Sequence, residues 1–479
     1  MKTGDTAFSL LIKYLVYFIL AYALCATVVC ICGYDLYHRG FSANVFVVVF
    51  ALIIAMGVVA LSRLLFRVSV RWVLIGGFMM ANLIMAAFLV SFHTRPISDY
   101  YNIFQMALQM ADGSYNIDEQ VPYGYGYLFN WQTGMGFLES LVFRAVGRPS
   151  LLALKVLNLI CINLTLLLTF ITVRSLAGTR RACFSFLLMC LFYPMLVSVG
   201  QLSNQNVAAP LILLLILLVR LRRFFWAGAL IPLINFIRPL GIILILAVAV
   251  LLLFRLLSGR ERLGAFARQA ALFAVPLVLL TAAFNASMIS LGYARSALTE
   301  PTLPYFKFYQ GLYIDEWRNP GPVIESFGGD VEKYNDWSRR QITEAYTERP
   351  GETILNNFRK MTMLLGMYDW KFAYSYNQVF PEFNSRRVSL GVAFGWAEYL
   401  VLVVLCLLGY GRYYRRHGLD FVQILFVGMV CVYFFVEAWP DYRYDFYSLM
   451  FIFASFAPGP LRRLTRLRSS AARERCRCG

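Results

Sequence analysis

Long apolar runs, broken by short arginine-bearing turns, make up most of this 479-residue chain. Runs long enough to cross a bilayer fall at about 9–33, 44–66, 71–92, 151–173, 182–200, 206–220, 224–237, 239–257, 266–290, 388–409, 419–438 and 445–458. Two of them are short and share the join Asn235-Phe236-Ile237-Arg238-Pro239. The pattern predicts an all-α polytopic membrane protein with about twelve transmembrane helices in a single domain, residues 1–479. Two long polar segments interrupt it, at 93–150 and 291–387, and the second is too long for a simple connector. In the first, Ile103, Phe104, Ala107, Leu108, Met110 and Ala111 recur at three- and four-residue spacing before Gly113. That periodicity predicts an amphipathic surface helix beginning at Asp99. The stretch 131–147 is apolar but short and carries Glu139 and Arg144, which places it in the membrane interface. In the large loop, Pro350-Gly351 divides two expected helices, Val331–Glu348 and Glu352–Met367. The second has Leu355, Phe358, Met361, Thr362 and Leu365 on one face, a further interfacial candidate.

Charge orients this arrangement. The net charge is +18, with 59% hydrophobic and only 15% charged residues. The arginines gather in the turns (Arg63, Arg67, Arg71; Arg174, Arg180, Arg181; Arg220, Arg222, Arg223; Arg412, Arg415, Arg416) and in the tail 459–479. This is the positive-inside distribution, with both termini cytoplasmic and both long loops outside, and not a nucleic-acid-binding surface. Promoting 131–147 to a full span would put three of the basic clusters outside. The tail is expected to rest on an anionic inner leaflet. The first run is long and has no small-residue cleavage site, so it reads as a retained span in the plasma membrane. The ten cysteines avoid the long polar loops, which argues against a disulfide framework, and the three histidines form no metal-ligand pattern.

Four stretches carry candidate chemistry. Asp99, flanked by Tyr100 and Tyr101, stands where an apolar run meets water, and partial desolvation makes a carboxylate a stronger base. As a plain alternative it serves only as a helix-capping surface acid. Arg238 precedes Pro239 at an outer junction, against the charge trend; it is either half of a structural ion pair or a ligand for lipid-borne phosphate. Glu437-Ala438-Trp439-Pro440-Asp441-Tyr442-Arg443-Tyr444-Asp445 packs five charged groups into one outer turn, with Arg443 a second phosphate candidate and Glu437 or Asp445 orienting it. The alternative is mutual neutralisation. Asn130 and Gln132, in an aromatic segment, suit sugar hydroxyls, as more weakly does Lys371 in Tyr368-Asp369-Trp370-Lys371. Aromatic residues alone also mark any membrane interface. There is no P-loop, dinucleotide fingerprint or zinc pattern.

Together these stretches resemble the GT-C glycosyltransferases, in particular the bacterial members related to protein O-mannosyltransferases and aminoarabinose transferases. The matching features are Ser98-Asp99-Tyr100 before a surface helix, the aromatic–Gln132 segment, Arg238-Pro239 between two apolar runs, and Glu437 with Asp441-Tyr442-Arg443-Tyr444. The resemblance implies a polyprenyl-phosphate sugar as donor, Asp99 as catalytic base and Arg238 and Arg443 at the donor phosphate. It also implies an outward-facing site that needs no nucleotide, cofactor or metal. Protein O-mannosyltransferases carry an Asp-Glu pair where this chain has Asp99-Tyr100, which leaves glycan, lipid and protein acceptors open. Two other readings stay in play. One is a lipid-linked oligosaccharide polymerase or ligase. The other is a transporter or flippase, against which stand the outer placement of the polar clusters and the absence of an internal repeat.

Overall fold

A computed structural model describes residues 6–37, 43–65, 68–119, 124–313, 318–367 and 385–458, and every regular element among them is helical. Lys371 and the basic tail lie outside the described residues.

Among the described residues, six helices are long and apolar enough to cross a membrane: Ala7–Gly33, Asn44–Leu64, Val70–Ser91, Leu151–Ala177, Leu263–Ser290 and Leu390–His417. A bent pair, Thr179–Leu191 with Tyr193–Gly200, makes a seventh if taken as one span. This is a multi-pass membrane protein, but the count of about twelve is corrected to six or seven. The apolar helices Asn204–Arg220, Phe224–Ile237, Gly241–Leu257 and Phe421–Phe435 have 14–17 residues. At ~1.5 Å per residue each reaches about 21–26 Å, short of the ~30 Å hydrocarbon layer. Apolarity in this part of the chain reflects protein core as much as lipid. The last helix, Tyr444–Ala454, is buried at every position. By contrast, the windows in 44–64 and 263–290 are only 17% buried and form the lipid-facing rim.

The bend in the seventh candidate has a local cause. Pro194 breaks the helix, and the Tyr193 N–H at the break donates to the Glu398 carboxylate at 2.8 Å. A backbone donor freed inside an apolar bundle is thereby satisfied.

The loop helix from Asp99 forms as the periodicity requires, and the interfacial stretch 131–147 forms a second. Helix α1, Asp99–Asp112, ends at Gly113 in the left-handed conformation (φ 83°), and α2, Thr133–Val146, ends at Gly147 in the same way (φ 74°). They pack on each other through Ile103, Met106 and Met110 of α1 and Met135 of α2, so the apolar face of α1 is spent largely on protein. Gly134 lets α2 meet the short helix 224–237: a Cβ there would fall 1.8 Å from the Phe236 carbonyl oxygen. That contact fixes Gln132 relative to Arg238, two residues beyond Phe236.

In the large loop, Val331–Glu348 forms as expected and the next helix runs Pro350–Gly366. The latter docks on the first helix, Ala7–Gly33, where the Tyr22 hydroxyl donates to the Phe358 carbonyl at 2.7 Å, and on helix Ser385–His417, whose Trp396 indole donates to the Gly366 carbonyl at 2.8 Å. Of its anticipated apolar face, Met361 and Leu365 are buried, whereas Leu355 and Phe358 stay exposed.

Candidate functional site

The approach to Asp99 is held under tension. The Thr94 hydroxyl donates to the Gly200 carbonyl at 2.6 Å, and buried Lys155 donates to the Thr94 carbonyl at 2.8 Å. Ser98 then takes φ 52°, a conformation that costs a non-glycine residue on the order of 1–3 kcal/mol. Its side chain makes no cap hydrogen bond, and Asp99 follows as the first helical residue, so Asp99 does not occupy the capping position.

Asp99 is half-buried and faces three groups from distant parts of the chain. The Tyr125 phenol hydrogen-bonds it, with Lys307 and Glu437 in electrostatic range. Burial pushes its pKa above the ordinary carboxylate value; the charge of Glu437 adds to this, while Lys307 and Tyr125 oppose it. Lys307 belongs to a short helix of the large loop, Phe306–Gln310, and forms an ion pair with Glu437. The pair is reinforced by a backbone hydrogen bond from the Glu437 N–H to the Lys307 carbonyl at 2.8 Å and by the Trp439 indole donating to Glu437. Gly311 permits this closeness, since a Cβ there would lie 2.6 Å from the Phe435 carbonyl oxygen. Lys360 completes the cation side. Its ammonium is buried, donates to the Gly311 carbonyl at 2.8 Å, and is pushed down by burial to a pKa of about 7.

A second network lies behind the first. Arg238 donates to Asp445 at 2.6 Å and to the Asn204 side-chain oxygen at 2.8 Å. Tyr433 donates to the same Asp445 oxygen, and Asn204 donates to Gln132 at 3.3 Å. Both members of the ion pair are almost fully enclosed. Two tyrosines join the networks. Tyr442 lies under the Arg238 guanidinium, 5.3 Å from ring centre to cation, with Glu437, Asp441 and Asp99 in electrostatic range. Tyr100 meets Ser203 at 3.3 Å and faces Asp441, Arg238 and Asp99.

The structure therefore gathers Asp99, Tyr100, Gln132, Arg238, Glu437 and Asp445 at one end of the molecule. Arg443 is set apart: it is 1% exposed, stacks on Tyr399 at 4.4 Å, and donates to the Pro440 carbonyl. Tyr101 is exposed, and the Asn130 amide is spent on the Glu300 carbonyl at 2.9 Å. Lys307, Lys360, Asn204 and Tyr433 were not among the candidates read from the sequence, and Tyr125 entered only as part of the aromatic segment before Gln132. For Asn204 a signal exists, because Ser203-Asn204-Gln205-Asn206 is a polar run at the mouth of an apolar helix. Lys307 has none, since its partner is 130 residues away. Among the described residues, no group of three or more His, Cys, Asp or Glu side chains gathers as a metal site would require.

No protein-family model matches the chain, and no curated protein matches it. Two solved structures show a distant similarity to it. The archaeal oligosaccharyltransferase AglB from Archaeoglobus fulgidus, in complex with an inhibitory peptide and a dolichol-phosphate, matches 84% of this chain at 13% identity and a TM-score of 0.42. A second crystal structure of an oligosaccharyltransferase from the same organism, with zinc and sulfate, matches 80% at 13% identity and a TM-score of 0.32. The match takes in 52% and 53% of those chains, so this protein spans about half their length.

Proposed function

We propose that the chain is an integral membrane glycosyltransferase that transfers a sugar from a polyprenyl-phosphate donor to an acceptor hydroxyl on the extracytoplasmic side. One observation carries the reading: a half-buried carboxylate with a raised pKa, Asp99, stands on a strained helix start against a lysine and a ring of tyrosines. An acceptor hydroxyl is a poor nucleophile, and a carboxylate so placed is suited to take its proton. As the hydroxyl oxygen bonds to the sugar C1, the proton passes to Asp99. The C1–O bond to phosphate breaks, and the lipid phosphate leaves with the electron pair. Lys307, in electrostatic range of Asp99, and Arg238, beside Tyr100 and Tyr442, are assigned to the phosphate, with Arg443 bracing the turn from behind. A single in-line displacement inverts the anomeric centre. Tyr100, Tyr125 and Tyr442 provide aromatic and hydroxyl surface for the sugar, and Gln132 a polar contact near it.

The test is to reconstitute the protein in liposomes and supply a panel of polyprenyl-phosphate monosaccharides together with envelope glycan, lipid and peptide acceptors. Transfer from at least one such donor, with inversion, is expected. Transfer only of preassembled oligosaccharide from a diphosphate carrier would replace this reading with the ligase.

A further inference from the structure

Helix Tyr444–Ala454 starts beside Arg238, and just beyond its far end Phe456 meets Arg181. There the structure holds a cavity of about 480 Å³. It is lined by Arg180, Arg181 and Thr179 at the start of helix Thr179–Leu191, and by Arg416 near the end of helix Ser385–His417. Its other wall is apolar, from Leu65 and Phe184.

Three features make this more than a basic surface. The Arg181 guanidinium lies over the Phe456 ring at 4.7 Å, which fixes it in place. Its charged neighbours are Arg416 and Arg412, both cations, and among the described residues neither Arg181 nor Arg416 forms an ion pair. The network described above differs, with Arg238 paired to Asp445 and Lys307 to Glu437. The cavity is also amphiphilic, and the helix that supplies Leu65's side of it presents Ile53, Met56 and Leu64 outward, each more than half exposed. An apolar track therefore leads from the cations toward the hydrocarbon layer.

We propose that this cavity binds a phosphate ester, held between Arg181 and Arg416 with the first amides of helix Thr179–Leu191 contributing. Guanidinium forks suit phosphate oxygens, and a helix start favours an anion. The apolar wall favours a lipid source, an anionic glycerophospholipid whose acyl chain lies along Ile53 and Met56. At this arginine-rich end, the positive-inside rule puts the headgroup in the inner leaflet. The site is separate from the Asp99 chemistry and does not depend on it.

Native mass spectrometry of the detergent-purified full-length protein tests this, with added phosphatidylglycerol, phosphatidylcholine or inorganic phosphate in separate arms. The intact protein is expected to retain phosphatidylglycerol over phosphatidylcholine, and R181Q/R416Q to lose that retention by about tenfold or more. R181K/R416K should restore part of it, and R262Q/R268Q, which changes exposed arginines elsewhere at this end, should leave it unchanged. Inorganic phosphate bound by the intact protein but not by R181Q/R416Q, with no lipid preference, would assign the same cavity to a free phosphate ester. Equal phosphatidylglycerol retention in the intact protein and R181Q/R416Q would overturn the proposal. Should the double variant fail to elute as a folded species, R416Q alone decides it, because Arg416 is exposed and its loss should still weaken retention several-fold.

Discussion

Two ion pairs flank Tyr442, and they differ in how far water reaches them. Arg238–Asp445 is closed: both partners are enclosed, and their remaining bonds go to Asn204 and Tyr433. Lys307–Glu437 is half open: Glu437 is 5% exposed and Lys307 35%, with Asp99 as a third charge in range. A closed pair holds a geometry, because separating its members strands a charge in an apolar site. An open pair can exchange partners when a charged ligand arrives. On this view Arg238 sets the frame in which Tyr442 and Tyr100 sit and offers the proposed phosphate a fixed charge, while Glu437 tunes Asp99 and Lys307 can turn from Glu437 to an arriving anion.

The largest expected effect comes from breaking the closed pair. Replacing Arg238 or Asp445 alone by alanine should cost about 3–5 kcal/mol, whereas an apolar replacement of both should cost far less. Thermal unfolding of the two single variants and the double variant measures this coupling. Additive losses would make the pair incidental. At the open pair, each single replacement should cost on the order of 1 kcal/mol, since Lys307 keeps contact with water.

Activity separates the pairs more sharply. A base must be ionised, so transfer falls as pH drops through the pKa of Asp99. Lys307 lowers that pKa and Glu437 raises it. Lys307→Met should therefore move the acidic limb of kcat/KM to higher pH and Glu437→Gln to lower pH. Limbs that move together, or not at all, would remove both residues from the environment of Asp99.

A separate effect on stability concerns Lys360. Its pKa of about 7 in the folded protein lies below the unfolded value, so between the two the unfolded chain binds more protons. Stability should rise as pH increases from about 7 toward 10 in the native protein. It should rise less in Lys360→Met, as read by thermal melts across that range.

Much of the loop architecture was legible in the chain because its signals are local. Amphipathic spacing and a glycine stop define Asp99–Asp112, a short charge-bearing apolar run marks Thr133–Val146, and Pro350 divides the two loop helices. Span number was not legible, because hydropathy does not distinguish a residue facing lipid from one facing protein. The wholly buried helix Tyr444–Ala454 reads like a span for that reason. The composition of the site was half legible. Asp99, Arg238 and Asp445 declare themselves as charges beside apolar runs. The direction in which Arg443 points, onto Tyr399 and into the core, depends on a helix that begins elsewhere in the chain. The partnership of Lys307 with Glu437 depends on the large loop folding back over the bundle, which no spacing in either segment encodes.

The account turns on Asp99 as the proton acceptor. The most direct measurement is single-turnover transfer from a polyprenyl-phosphate sugar in proteoliposomes, comparing the native protein with Asp99→Asn while donor binding is followed in parallel. Asp99→Asn should keep its fold and bind donor as before, yet transfer at least about 10²-fold more slowly, the scale of a lost general base. Transfer at the native rate by Asp99→Asn would contradict the account.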